Sequence, residues 1–172
     1  MVTIGKLENT LVGTIHVAAN ADGLVAISLW DDESRFLAEV MRLVGKAPDV
    51  AAEPSVFVKT ALAELDAYFR GDLREFTVPI DWSVMQPFQQ DALHLVCAVP
   101  YGHTTNYGTI ADQLGRPGAA RAVGRANATN PMPIIIPCHR ILGADGKLHG
   151  YGARGGIETK AKLLRLEGSW LI

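Results

Sequence analysis

At 172 residues and 48% hydrophobic composition, the chain has room for one large domain or two small ones, each with its own core. No stretch approaches the roughly 20 apolar residues of a membrane span, and the first 25 residues, broken by Glu8, Asn9, His16 and Asn20, do not resemble a signal peptide. The net charge of −2 hides two halves of opposite sign: residues 1–80 carry 7 Lys+Arg against 12 Asp+Glu and residues 81–172 carry 9 against 6, so contact with a phosphate backbone falls to the second half.

In chain order, residues 11–17 and 24–30 flank the turn Asn20-Ala21-Asp22-Gly23 and predict a hairpin. A helix is expected over 31–44, with Phe36, Leu37, Val40, Leu43 and Val44 on one side and Gly45 as its stop. A second helix opens at Pro54-Ser55, carries a stripe of Val58, Leu62, Leu65 and Phe69, and closes at Gly71. Residues 76–80 read as a short edge strand, since Pro79 cannot donate to a sheet. His16 reads as an ordinary strand residue, and nothing in this small α/β unit has catalytic spacing.

Residues 81–87 form a plausible linker, dividing the chain into domains 1–81 and 82–172. Beyond it the texture changes to short helices and tight turns. A helix over 88–99 buries Phe88, Ala92, Leu95, Val96 and Val99, and Cys97 is expected in its core. A second runs over 107–114 behind Thr105 and Asn106 as candidate caps, and a third over 119–127 follows the turn Gly115-Arg116-Pro117-Gly118. Helix, short glycine-containing turn, helix is the pattern of a helix-turn-helix. The third helix is rich in Ala and Gly, including Ala122 and Gly124, and sets Arg121 and Arg125 one turn apart. That composition fits tight internal packing or close approach to a phosphate-bearing surface. Its place after a short turn in the basic half favours a recognition helix.

Ile134-Ile135-Ile136 between Pro133 and Pro137 reads as a buried extended segment that presents Cys138 and His139 on a stiff backbone. Alone, such a cysteine is more often a buried small residue than a nucleophile. Asn130 before Pro131 is a turn residue whose side chain could bond backbone on both sides. Residues 141–148 predict a hairpin about Asp145-Gly146 that would serve as a wing. On the last helix, 157–167, Glu167 falls toward the apolar side and needs a partner such as His139, Arg140 or a lysine, whereas Lys160 and Lys162 read as solvated. Neither cysteine belongs to a metal-ligand spacing, so no metal is expected, and the default setting is reducing and cytoplasmic.

Ile136-Pro137-Cys138-His139-Arg140, Asn130-Pro131, residues 120–124, Pro100-Tyr101-Gly102 with Tyr107, and Lys160 to Glu167 together resemble the O6-alkylguanine-DNA alkyltransferases. The resemblance covers 87–168, and the first half fits the family in outline only. It implies an α+β chain, with a small ribonuclease-H-like α/β domain followed by a helical winged helix-turn-helix domain. It implies direct-reversal repair: the alkyl group of O6-alkylguanine, with O4-alkylthymine as a further candidate, passes irreversibly to Cys138 in a single turnover. His139 and Glu167 would form the relay that activates the thiol, Tyr107 would supply a proton toward N3 of the leaving guanine, and Asn130 would be the hinge. Arg121 would enter the minor groove in place of the flipped nucleotide, with Ala122, Gly124 and Arg125 against the DNA. Ile141, Tyr151 and Gly152 would line the guanine pocket. No cofactor is implied, and the partner is double-stranded DNA bound by a monomer. Adjacent residues of an extended segment point apart, so a water is expected between Cys138 and His139. The alternative is a damage sensor that binds alkylguanine without repair, although relatives of that kind lack the cysteine. His103 and Asn106 depart from the family pattern, as does the lengthening of the loop by Ala153-Arg154.

Overall fold

In the computed structural model, which describes residues 1–29, 32–151 and 155–170, the chain folds as two units, Met1–Met85 and Gln86–Ile172. The first is an antiparallel sheet in the order β1 (Thr3–Thr10), β2 (Gly13–Ala19), β3 (Leu24–Ser28). The predicted hairpin is β2–β3, its turn closed by the Asn20 side chain, which accepts from the amides of Asp22 and Gly23. Strand β1 is an addition that the sequence pattern did not announce. Its register shifts between Leu7 and Thr10, Asn9 has a positive φ of 59°, and most of its side chains are at least partly exposed, so the two-residue alternation is blurred.

Helices α1 (Glu33–Val44) and α2 (Val56–Phe69) pack on this sheet. Asp32 caps α1 at the Arg35 amide and Gly45 ends it in the left-handed conformation; the expected first residue, Asp31, lies outside the described residues. Ser55 caps α2 at the Val58 amide. Its buried face is Val58, Ala61, Leu65 and Tyr68, so Leu62 and Phe69 flank the face instead of forming it. Gly5 makes this docking possible, since a Cβ there would stand 2.7 Å from Val58 Cγ1. The core between α1 and the sheet is Val2, Ala18, Val25, Ala26, Phe36 and Val40, with His16 buried in its strand and stacked on Phe36 at 5.3 Å.

Residues 76–80 are not a strand. The Glu64 carboxylate takes the amides of Thr77 and Val78, which a strand would have offered to a neighbour. What remains is one bridge at Ile80, where Leu24 donates to the Pro79 carbonyl and Asp81 to the Leu24 carbonyl, both at 2.9 Å. Asp81 then caps a short 3-10 turn, Trp82–Val84.

The second unit contains α3 (Pro87–Cys97), β4 (Thr105–Asn106), α4 (Tyr107–Gln113), α5 (Ala120–Ala128), β5 (Ile141–Leu142) and α6 (Gly156–Leu166). Asn106 caps α4 by accepting from the Thr109 amide, and α4, turn and α5 form the expected helix-turn-helix packed on α3. Gln89 of α3 donates to the carbonyls of Ala126 and Thr129, which finishes α5. Ala92, Leu93 and Val96 form the inner face of α3, and Cys97 at its end is exposed, not core. The predicted wing hairpin does not form. Strand β5 pairs in parallel with β4, and 143–147 is only a turn closed by the Gly143 amide on the Lys147 carbonyl. Among the described residues no helix is long and apolar enough to cross a membrane.

Candidate active site

The run of isoleucines is buried but not extended. Ile134 has a φ of 76° and the Ile136 amide bonds the Met132 carbonyl, so the β-branched residues report burial in a turn. Beyond Pro137 the chain enters a 3-10 turn, Cys138–Arg140, with the Arg140 amide on the Pro137 carbonyl. Asn130 fixes this turn to the end of α5. Its Nδ2 donates to the Ile136 carbonyl at 3.0 Å and to Cys138 Sγ at 3.1 Å, while its Oδ1 accepts from the Met132 amide. Both backbone ties fall on the Cys-bearing side, where the sequence suggested one on each side of Asn130, and the direct bond to sulfur is new.

His139 is fully buried, and its Nε2 lies 2.7 Å from Glu167 Oε1. Arg140 closes the cluster, donating through Nε to Oε2 and through Nη2 to Oε1, both at 2.9 Å, and through Nη1 to the Val99 carbonyl. Burial works against the Glu167 charge, but the His139 and Arg140 hydrogen bonds outweigh it and hold the carboxyl down at about 2. Burial also lowers His139, more than Glu167 raises it, so the imidazole rests neutral. An ionised carboxylate only accepts, so Nε2 carries the ring hydrogen and Nδ1 holds the lone pair. Nδ1 is buried and has no hydrogen-bond partner among the described residues. It is the free basic site of the residue next in the chain to Cys138, and no direct bond joins the two side chains.

Lys160 corrects the sequence reading outright. It is fully buried, and its Nζ donates to the carbonyls of Ile141 at 2.6 Å and His149 at 3.3 Å. Burial lowers it to about 8, so near neutral pH most of it keeps its charge. Lys162 pairs with Glu158 on the surface. Burial pushes the Cys138 thiol up, while the Asn130 bond and the Lys160 charge pull it back toward thiolate. Lys160→Met is therefore expected to raise the thiol pKa by about one unit and to slow alkylation of Cys138 by iodoacetamide about tenfold at pH 7. A pH profile of that reaction checks it.

Tyr107, the first residue of α4, is partly buried, and Lys160 Nζ sits 5.8 Å from its ring centroid. Burial, with Cys138 adding to it, raises its hydroxyl, which stays a proton donor. Gly124 of α5 faces the Tyr107 ring, where an added Cβ would meet it at 3.9 Å. Arg121, Ala122 and Arg125 are exposed on α5, and neither arginine is ion-paired among the described residues. Ile141 is fully buried under the Cys turn, and Gly152 lies outside the described residues. The structure thus gathers Cys138, His139, Glu167, Asn130, Tyr151 and, unforeseen, Lys160; the arginines of α5 stand apart on the surface of the same unit.

A thiol with a neutral imidazole beside it, carried on a helix-turn-helix scaffold, defines a cysteine-acceptor protein of the DNA-binding class. The comparisons narrow this. The family model of the 6-O-methylguanine DNA methyltransferase DNA binding domain matches residues 87–169, and that of the ribonuclease-like domain of the same proteins matches residues 5–82. The chain is 38% identical to a methylated-DNA–protein-cysteine methyltransferase of Methanosarcina acetivorans, over 92% of this chain and 94% of that one. It is 53% identical to one from Mycobacterium tuberculosis over 68% of each. The crystal structure of the M. tuberculosis O6-methylguanine methyltransferase superposes with a TM-score of 0.78 at 40% identity, covering 100% of this chain and 96% of that one. The M. tuberculosis protein in complex with DNA gives 0.78 and 40% over 97% and 93%. The chain belongs to the methylated-DNA–protein-cysteine methyltransferase family.

Proposed function

We propose that this protein repairs O6-alkylguanine in double-stranded DNA by moving the alkyl group onto Cys138, once per molecule. The observation that carries the reading is the Cys138 sulfur, bonded by Asn130 at 3.1 Å beside a buried imidazole whose Nδ1 is open. A thiol of ordinary pKa is only a few per cent ionised at neutral pH, so a base is needed. His139 Nδ1 takes the Sγ proton through a bridging water, and Glu167 stabilises the imidazolium that forms. The thiolate attacks the alkyl carbon, a C–S bond forms, the C–O6 bond breaks, and its electron pair leaves with guanine. Tyr107 donates toward N3 of the departing base, and the proton lost by the thiol ends, net, on guanine. The thioether does not hydrolyse, which makes the protein its own spent reagent. With Cys138 present and so held, the sensor reading has no observation in its favour.

O6 lies inside the stacked duplex, so the nucleotide must leave the helix. In this reading the small residues of α5, Ala122 and Gly124, let it enter the minor groove, Arg121 fills the gap left by the base, and Arg125 meets phosphate. In the same reading Tyr151 and the backbone of Ile141 line the pocket for the extruded guanine. The protein acts as a cytoplasmic monomer, and the chemistry belongs to residues 82–172. Arg121→Ala is expected to slow repair of O6-methylguanine in duplex at least about tenfold, the scale of an unstacking cost left unmet. Reaction with free O6-benzylguanine should stay within about twofold, since no stack is opened. Equal losses in the two assays would remove the finger from the account.

A further inference from the structure

Helix α5 ends, as helices do, with carbonyls that no further turn can satisfy, and a side chain from α3 reaches across to them. Gln89 Nε2 lies 3.2 Å from the Ala126 carbonyl, 3.1 Å from the Thr129 carbonyl and 3.0 Å from Thr129 Oγ1. All three accept, since the Thr129 hydroxyl gives its own hydrogen to the Arg125 carbonyl. These partners fix which way the amide points: turned over, its oxygen would face two carbonyls.

The Thr129 carbonyl and the Asn130 N–H belong to one planar peptide unit. Gln89 holds the oxygen of that plane, and the Asn127 carbonyl takes its N–H at 3.2 Å. Asn130 therefore leaves α5 from a peptide gripped on both sides. From there its Nδ2 reaches the Ile136 carbonyl at 3.0 Å and Cys138 Sγ at 3.1 Å. Each link from α3 to the sulfur is a single hydrogen bond or a single residue. Resting on the repair reading above, we propose that Gln89 is a positioning residue: it fixes the Asn130 peptide, and so the N–H that meets the Cys138 sulfur. The Asn130 bond is the chief influence drawing the buried thiol back toward thiolate, so its geometry bears on reactivity.

The test uses the full chain with free O6-benzylguanine, so that no contact of Gln89 with DNA enters, and iodoacetamide as a probe of the thiol. Gln89 is partly exposed, and Gln89→Met keeps its length while removing its donor. The variant is expected to lower the saturating transfer rate constant about threefold, part of the worth of one hydrogen bond. The apparent thiol pKa should rise by about half a unit, the same factor in thiolate. The half-saturating concentration should stay within about twofold. Lys160, Tyr107 and Cys97, which act on the sulfur through charge, sit on α6, α4 and the end of α3 and are unchanged. In Gln89→Lys an ammonium faces the same carbonyls at the end of α5, and both values should return toward wild type. Once Asn130→Ala has removed the donor to sulfur, adding Gln89→Met should move the thiol pKa no further. A wild-type rate and thiol pKa in Gln89→Met, failure of Lys to rescue, or a further shift in the Asn130→Ala background would each overturn the positioning role. So would a lower melting temperature with an unchanged thiol profile, which is the mark of a helix cap alone. Absence of benzyl transfer in the wild-type protein would instead overturn the repair reading, and the iodoacetamide profiles would still decide the role of Gln89.

Discussion

Cys138→Ala is expected to abolish alkyl transfer while leaving lesion-containing duplex bound. The sulfur is the atom in the cluster that Asn130 and Lys160 both favour in its charged form, and alanine leaves no sulfur to accept the alkyl group. The substitution removes a single buried atom. Asn130 keeps its bonds to the Ile136 carbonyl and the Met132 amide, so the turn stays in place. The stability cost is about 1 kcal/mol, in the range of a lost methylene. In the proposed reading duplex binding draws on the arginines of α5, which are exposed and which the change does not touch. Fluorescence anisotropy with an O6-methylguanine duplex, beside a transfer assay on the same DNA, checks both halves.

Glu167→Gln is expected to cost about 3–5 kcal/mol of stability and to slow transfer as well. The carboxylate receives three hydrogen bonds from two buried side chains, and Arg140 has no other acidic partner among the described residues. An amide accepts through one atom only, so its NH2 group must face either the guanidinium or the imidazole N–H, leaving a buried cation uncompensated. The pH dependence has a definite sign. The folded carboxyl sits at about 2 against 4.5 for a free one, so its contribution, roughly 3 kcal/mol, is fully present above pH 4.5 and disappears as pH falls toward 2. His139 pulls the same way, since its burial-lowered pKa means that acid must charge a group the fold keeps neutral. Urea unfolding of wild type and variant should differ most near pH 7 and converge toward pH 2. A constant gap across that range would contradict the assignment of the stability to the ionised carboxylate.

Local punctuation in this chain was readable because it is made of single side chains acting within three residues. Ser55 and Asn106 cap their helices, and Gly45 and Gly71 stop theirs with positive φ. The need of Glu167 for a partner was readable too, from its place on an apolar helix face, and His139 with Arg140 answers it. What escaped depends on residues far apart in the chain. Lys160 stands in the charged run Lys160-Ala161-Lys162, and only the carbonyls of Ile141 and His149 explain why it is buried. The triple isoleucine reads as a buried extended segment because burial and extension leave the same β-branched signature at short length, whereas Ile134 turns the chain. The expected wing failed because β5 finds β4 as its neighbour, a pairing that no local pattern encodes. In the first unit, β1 was hidden by its exposure, and 76–80 was kept from the sheet by one side chain, Glu64.

The account stands or falls on where a methyl group goes. A duplex bearing isotopically labelled O6-methylguanine, incubated with excess protein and then digested for peptide mass mapping, should place the label on the peptide containing Cys138. With DNA in excess the reaction should stop at one methyl per protein molecule, the guanine left intact in the strand. Label found on another residue, released to solvent, or turned over beyond one equivalent would contradict it.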